Sequence, residues 1–529
     1  MSDKDIFESP INPDWDNYIK TNIQNKNSFT YLTGKVSPVL SENLEFIRDA
    51  FEFGKNFDFV IREFKIRAEG SFRDAFLIFY DGLTNKNFIN RDILKPLMNV
   101  NLSSGLSLTD TVYECMLAQA PNTKVNSIKT IIELVGFGNC AVFVDGCDCA
   151  FLADVKGWGA RSVGKPISEA VLSGPQEAFC ETIMTNIALI RKILKDPNLI
   201  AENIPVGTKS KTPCALMYIN GITNVKLVKE ARRRLESIDT DYIFSSADIE
   251  MLIEESTLFP LPQILKTERP DRAAAQLSDG KVIIVVQGSP FILIIPATMH
   301  DLAEVSEDNY VRIAEANFMR FIRIIGCFLA LFLPGIFIST VLYHHETIPT
   351  DLLFAIDASR QRMPFPIVFE LVVMTLSFEL IKEASIRVPE PIGPTLGIVG
   401  GLILGQAAVS ANIASPLLII IVSISALGAF SAPSVSISRT ISVLQFLFIF
   451  LGAVAGFLGL ATGVFWLLAY MSSQNSFGVP YISSPNGSNN LFFVVPIWKR
   501  ERRPFALSTQ TPIKQPHISR KWKGDGQYK

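Results

Sequence analysis

Hydrophobic positions along this chain follow two different patterns. Up to about Asn317, apolar residues recur in short periodic runs among charged ones, whereas beyond it they merge into long blocks of Leu, Ile, Val, Phe, Ala and Gly. Between residues 391 and 498 the one formally charged side chain is Arg439. A bilayer core offers no partner for backbone N–H and C=O groups, so apolar blocks of about 20 residues are expected as helices that satisfy themselves. The pattern predicts such segments at 321–343, 366–381, 392–409, 416–430 and 441–471. Five crossings would put the tail opposite the head. The tail, however, carries Lys499, Arg500, Arg502 and Arg503, which favour the head's side. One weak segment, either 416–430 or the amphipathic TIPTDLLFAIDASRQR before Pro364, is therefore expected to be re-entrant or interfacial.

The first half reads as alternating short elements. A helix is expected from Ser41, which can cap ENLEFIRDAFEF with Leu44, Ile47 and Phe51 at helical spacing. DFVIREFKI and AFLIFY read as strands and SIKTIIELV as a helix. NCAVFVDGCDCAFLADV reads as a hairpin turning at Asp145-Gly146. After Gly174 the order is helix EAFCETIMTNIALIRKIL, strand CALMYING, helix VKLVKEARRRLESI, strand DYIF, helices ADIEMLIEE and DRAAAQL, then strands KVIIVVQG and FILIIPA. That alternation suggests a layered domain whose sheet is at least partly parallel. The fold class expected is an α/β cytosolic two-part N-terminal domain followed by an all-α multi-span membrane domain. Its divisions are a polar leader and first helix at 1–57, α/β units at 58–173 and 174–316, a transmembrane helical domain at 317–472 and a polar, basic tail at 473–529.

Composition changes this picture little. Among 529 residues the formal net charge is -2, so no global field favours nucleic acid, and mean hydropathy of +0.28 averages two unlike halves. The start, MSDKDIFESPINPDWDNY, lacks the basic-then-apolar plan of a secretory signal, and Arg312, Arg320 and Arg323 precede the first apolar block; both place the head in the cytosol. Seven scattered cysteines read as reduced thiols. No nucleotide-binding glycine loop, HExxH or GxSxG motif is present, so neither an enzyme nor a cofactor is expected.

Candidate chemistry lies mainly in the apolar half. Glu370 and Glu379 fall inside a predicted crossing, where acidic groups cost roughly 2.5–3.5 kcal/mol to insert and face the bundle interior or a water path. Nine positions apart, they project from opposite sides of one helix. Glu379, Glu383 and Arg387 line up at i, i+4, i+8 as an intrahelical ion ladder. Gly397, Gly401 and Gly405 give two overlapping GxxxG spacings that suit close helix packing, with Gln406 as a polar group left for a pore or gate. Cys147 and Cys149 share a strand face opposite Cys140. Buried thiols account for them better than a metal site, because no histidine precedes His300. His344 and His345 close the first apolar block at a surface.

Three long phrases carry a family resemblance: SGPQEAFCETIMTNIALIRKILKDPNL, KTERPDRAAAQLSDGKVIIVVQGSPFILIIPAT and MPFPIVFELVVMTLSFELIKEASIRVPEPIGPTLGIVGGLILGQAAVSANIASP. Together they resemble the A-subunit family of GerA-type spore germinant receptors, over roughly residues 58–481. The resemblance implies a multi-pass subunit in the spore inner membrane, in contact with lipid. It implies partners in a permease-like B subunit and a lipoprotein C subunit, and assembly as a homo-oligomer that acts as a ligand-gated cation channel. Glu370, Glu379 and Gln406 match family positions, as do Gly174, Pro175 and residues 267–271. Ser385 stands where a glycine is usual, and MHDLAEVSEDNYVRIAEAN departs from the usual approach to the first crossing. A secondary transporter is the rival reading, disfavoured by the short membrane domain without inverted repeats. A non-conducting membrane scaffold is the other, in which Glu370 would only pack.

Overall fold

Strands such as AFLIFY and NCAVFV are apolar at nearly every position, which requires cover on both faces. The computed structural model supplies it, describing residues 34–68, 71–99, 108–115, 122–157, 164–257, 259–361, 363–387, 401, 403–483, 493–496, 500 and 502–514. In the first unit, α1 (Leu40–Ala50) precedes β1 (Phe59–Ala68) and β2 (Ser71–Tyr80). Helical segments at Lys86–Phe88, Ile89–Leu94, Lys95–Asn99 and Leu108–Cys115 come next. They are followed by β3 (Asn122–Val125), α2 (Ile128–Gly136), β4 (Asn139–Val144) and β5 (Ala150–Asp154). The sheet order is β1-β2-β4-β5-β3, antiparallel throughout. Leu77 and Phe79 meet Ile89, Ile93 and Leu97 on one face, while Phe76, Ile78 and Tyr80 meet Ile47, Phe51 and Ile131 on the other.

The second unit repeats this plan. It runs α3 (Ile183–Ile193), β6 (Leu199–Val206), β7 (Thr212–Ile219), α4 (Val225–Glu236), α5 (Ser246–Ile253), β8 (Leu265–Thr267), α6 (Pro270–Ser278), β9 (Val282–Val286) and β10 (Ile292–Ile295). Its order, β6-β7-β9-β10-β8, is that of the first sheet with five added to each number, and again every pair is antiparallel. The partly parallel sheet read from the sequence is thus corrected. Two-sided burial, more usual in parallel sheets, comes here from helices on both faces of an antiparallel one. DYIF forms no strand: Ile243 is buried, but Tyr242 and Phe244 point out to solvent. Ser41 lies inside α1 rather than capping it; the Asp145 carboxylate, remote in sequence, accepts the Leu40 N–H at 3.3 Å instead.

A buried ion pair joins the units. Arg191 on α3 is 2% exposed and donates to both oxygens of Asp58 and to the Leu199 carbonyl at 3.0 Å, with its guanidinium 4.2 Å from the Tyr80 ring centre. Asn56 accepts from Arg191 at 3.2 Å and from the Ala201 N–H at 2.8 Å, so residues 56–58 serve both sheets.

The apolar half is helical. It comprises α7 (Ile313–Tyr343), α8 (Thr350–Arg360), α9 (Ile367–Arg387), helical residues 403–410, α10 (Pro416–Phe430) and α11 (Val435–Ser473). Two of these, α7 and α11, are long and apolar enough to cross a membrane, and α10 is a shorter apolar helix. The block 441–471, read as one crossing, is not one straight rod. Gly456 takes φ 59° and ψ -141°, non-helical values open to glycine alone. A Cβ on Gly463 would lie 3.0 Å from the Phe448 ring, although a continuous helix would hold those residues about 22 Å apart. The chain therefore turns back on itself at Gly456.

Tight crossings fix the other helices. A Cβ on Gly428 would strike the Gly326 carbonyl, and one on Gly452 would come 2.8 Å from the Gly335 carbonyl. Ser425 Oγ donates to the Ala330 carbonyl at 2.9 Å. Residues 326–343 thus pass 428–418 in opposite directions and 441–456 in the same direction. At one end Tyr343 OH donates to the Ala453 carbonyl at 2.8 Å; at the other Thr440 donates to Pro260 of the head at 2.6 Å. The turn at Gly456 returns the chain to the head, where Ser476 Oγ donates to Gln263 O at 2.7 Å and Tyr481 OH to Pro262 O at 3.0 Å. Arg503 of the tail donates to the carbonyls of Ser278, Thr511 and Ile513, so the tail is seated on the second unit.

Candidate functional site

The phrases SGPQE and TERPDR meet at the base of the head. Pro270 occupies the first turn of α6, where its missing N–H costs nothing. Arg269, just before it, is fully buried and donates to the carbonyls of Glu169 (3.3 Å) and Pro175 (3.0 Å) while pairing with Asp271 at 2.8 Å. Glu268 accepts from Ser168 Oγ at 2.8 Å and from the Glu169 N–H at 3.0 Å. Arg272 reaches the carbonyls of Asp301 and Glu304 and pairs with Glu169. Four residues of the run 268–272 thus hold loop 164–175 against the segment that enters α7.

That segment is tied on in turn. Tyr310 OH donates to Asp271, and Gly174 leaves room for its ring, which a Cβ would meet at 2.8 Å. Burial, then Asp271, push the Tyr310 phenol up to about 12. Asp308, 4% exposed, accepts from Arg320 at 3.0 Å and Arg323 at 2.6 Å, both on the first turns of α7. Beside this junction lies a cavity of about 360 Å³. It is bounded by α6, the stretch 300–310, the entry of α7 and tail residues from 493 to 514. Burial lowers the His300 imidazole there, against the pull of Glu304 and Asp301. Burial alone would raise the Asp301 carboxyl, but Lys281 at 2.6 Å outweighs it and holds it below its ordinary value.

Among the helices, Glu370 on α9 is 2% exposed, and neither carboxylate oxygen accepts a well-formed hydrogen bond from any described residue. The polar group it faces is the Ser415 backbone at the start of α10. Glu379 does not share that surrounding; it accepts from Lys382 and from Ser442 of α11, both at 2.8 Å. Lys382 thus meets it at i+3; the Arg387 side chain, at the end of the expected ladder, lies outside the described residues. Gln406 is exposed, on a face with Ile403, Ala407 and Ser410 that no other described helix covers. Gly401 lies 3.8 Å from Phe378 and Gly405 3.7 Å from Ile419, measured from an added Cβ; Gly397 lies outside the described residues. Cys140, Cys147 and Cys149 are buried free thiols, the latter two in the turn before β5 rather than on it. Sequence reasoning missed Asp308, whose partners lie 12 and 15 residues away. It also missed Gln445, which donates to Ser425 inside the bundle at 3.1 Å.

A two-unit α/β head clamped to an apolar helical bundle is the class of protein defined here. A family model described as Bacillus/Clostridium GerA spore germination protein matches residues 47–506, and the chain belongs to that family. Spore germination protein KA of Bacillus subtilis is 36% identical over 91% of this chain and 89% of its own length. The membrane protein YfkQ of Bacillus subtilis is 33% identical over 89% of this chain and 92% of its own. The crystal structure of the N-terminal domain of the A subunit of the Bacillus megaterium spore germinant receptor GerK3 covers 50% of this chain and 98% of its own at 31% identity, with a TM-score of 0.40.

Proposed function

We propose that this chain is the A subunit of a nutrient germinant receptor in the spore inner membrane, acting without catalysis beside a permease-like B subunit and a lipoprotein C subunit. Copies of it assemble around a cation path, which opens when a nutrient signal reaches the head–bundle junction. The observation that carries this reading is the exposed face of Ile403, Gln406, Ala407 and Ser410. An amide and a hydroxyl on the outside of an apolar bundle need a water path or another subunit. Glu370 supplies a buried carboxylate for a passing cation to meet, and Glu379 lies nearer the head, where it pairs with Lys382.

In this reading 317–472 is the membrane domain, and it crosses six times. The outward passes are α7, the helix ending near 410, and 435–455. The return passes are α9, α10 and 457–473. An even count keeps head and tail on the cytosolic side without any re-entrant segment, in agreement with the basic tail.

The test is reconstitution of the chain with its partners in liposomes, measuring potassium and sodium flux with and without nutrients. Glu370→Ala with assembly intact is expected to abolish most nutrient-triggered flux; unchanged flux removes Glu370 from the path. Assembled oligomers that pass no ion under any nutrient would establish the scaffold reading instead.

A further inference from the structure

The cavity at the junction is lined by neither Glu370 nor the face around Gln406. Six cationic side chains border it, Arg272, Lys281, Arg320, Arg500, Arg502 and Lys514, against the carboxylates Asp271, Asp279, Asp301 and Glu304. Most are matched in pairs: Arg272 with Glu169, Lys281 with Asp301, Arg320 with Asp308, Lys514 with Asp279 and Asp271 with Arg269. Arg500 instead donates to two neutral groups, Val495 O and Asn309 Oδ1, both at 2.8 Å. Arg502 is exposed and has no ionic partner among the described residues. Glu304, the remaining carboxylate, accepts from Asn309 at 3.2 Å. Among the described residues, two arginines against one carboxylate leave the lining positive.

Its wall also holds a hydroxyl with nothing to donate to: Ser306, 7% exposed, makes no hydrogen bond to a described residue. Buried polar groups without partners are rare in folded proteins and call for a partner. In the topology proposed above, Arg320 of the first apolar helix puts the cavity at the level where lipid head groups meet the cytosol, and basic pockets at that level suit anionic head groups.

We propose that this cavity binds a phosphate-bearing anion, with Arg500 and Arg502 supplying the charge and Ser306 the buried donor. The phosphate of a soluble metabolite and the phosphodiester of an anionic lipid present the same chemistry. Either would bridge the tail, the second α/β unit and the segment entering α7. The site holds whether or not the chain conducts.

The experiment uses the full-length chain in detergent micelles and reads thermal stability and binding. One arm adds inorganic phosphate against sodium chloride at equal ionic strength; the other adds phosphatidylglycerol against phosphatidylcholine. At least one anion is expected to raise the melting temperature in a saturable way. Arg500→Gln with Arg502→Gln is expected to weaken that binding about tenfold or more, as two charged contacts are lost. Ser306→Ala, a smaller change, gives a lesser loss and guards against misfolding of the double variant. Lys209→Gln, at an exposed pair elsewhere on the head, leaves binding unchanged. Response to phosphate alone assigns a soluble ligand, and response to phosphatidylglycerol alone assigns a lipid. No response beyond the salt control, or equal binding by the folded double variant, overturns the proposal.

Discussion

Asp308→Ala removes the carboxylate that serves Arg320 and Arg323 at the entry to the first long apolar helix. Arg320 is 3% exposed and Asp308 4%, so neither charge has water to fall back on. At an effective dielectric of about 20, unit charges separated by the observed 3.0 Å attract by about 5–6 kcal/mol, an upper limit for this pair. Breaking a buried pair by deleting one partner costs about 3–5 kcal/mol, because the survivor is left buried and unpaired. Each 1.4 kcal/mol is tenfold in an equilibrium constant, so local opening of residues 306–313 should rise by roughly two to three and a half decades. Amide hydrogen exchange on the full-length chain in detergent reads this directly. Asp308→Leu combined with Arg320→Leu and Arg323→Leu should restore protection to within about tenfold of the parent, since apolar replacement of a whole buried ionic group is often neutral and strands no cation. A single variant whose exchange in 306–313 changes by less than about tenfold would refute the reasoning.

Two further outcomes follow from the structure. Gly428→Ala puts a methyl group into the Gly326 carbonyl, a backbone atom that cannot swing aside, so α7 and α10 must separate. The yield of folded chain extracted in mild detergent should fall several-fold, while Gly164→Ala, with open space around it on the head and no left-handed backbone, should not lower yield that way. On α4, the hydrogen bond from Arg233, then Arg234, holds the Glu230 carboxyl down from 4.5 to about 2. A carboxyl with a depressed folded value adds stability above its unfolded value, and that addition is lost as pH falls. Glu230→Gln should therefore be less stable than the parent near pH 6, and the gap should close between about pH 4.5 and 2 in acid titrations of the head.

Apolar runs located most strands and all the long helices, because hydrophobic burial acts on each run separately. Strand direction was not legible: helices on both faces of each sheet erase the alternation that marks an antiparallel strand. LIAENIPV escaped notice as β6 because Glu202 interrupts it, yet that carboxylate is satisfied by Tyr218 OH at 2.6 Å and Arg232 at 2.8 Å. The reversal at Gly456 was hidden because hydropathy averages across it. In GAVAGFLGLATG several glycines look alike, and packing against Tyr343 selects the one that turns. Of the candidate site, Glu370 stood out by charge alone. Lys382 beside Glu379, and Asp308 beside Arg320, depend on tertiary approach and leave no local signal.

Phe477 and Tyr481 have a consequence for the order in which this molecule can be finished. They are 1% and 0% exposed within the two cores of the second α/β unit, with the Arg234 guanidinium 4.2 Å from the Phe477 ring centre. Both emerge from the ribosome only after every apolar helix has been made. The second α/β unit therefore cannot close the sites around Phe259 and Ile264 until the apolar helices have been synthesised and the chain brings its last aromatic residues back into place.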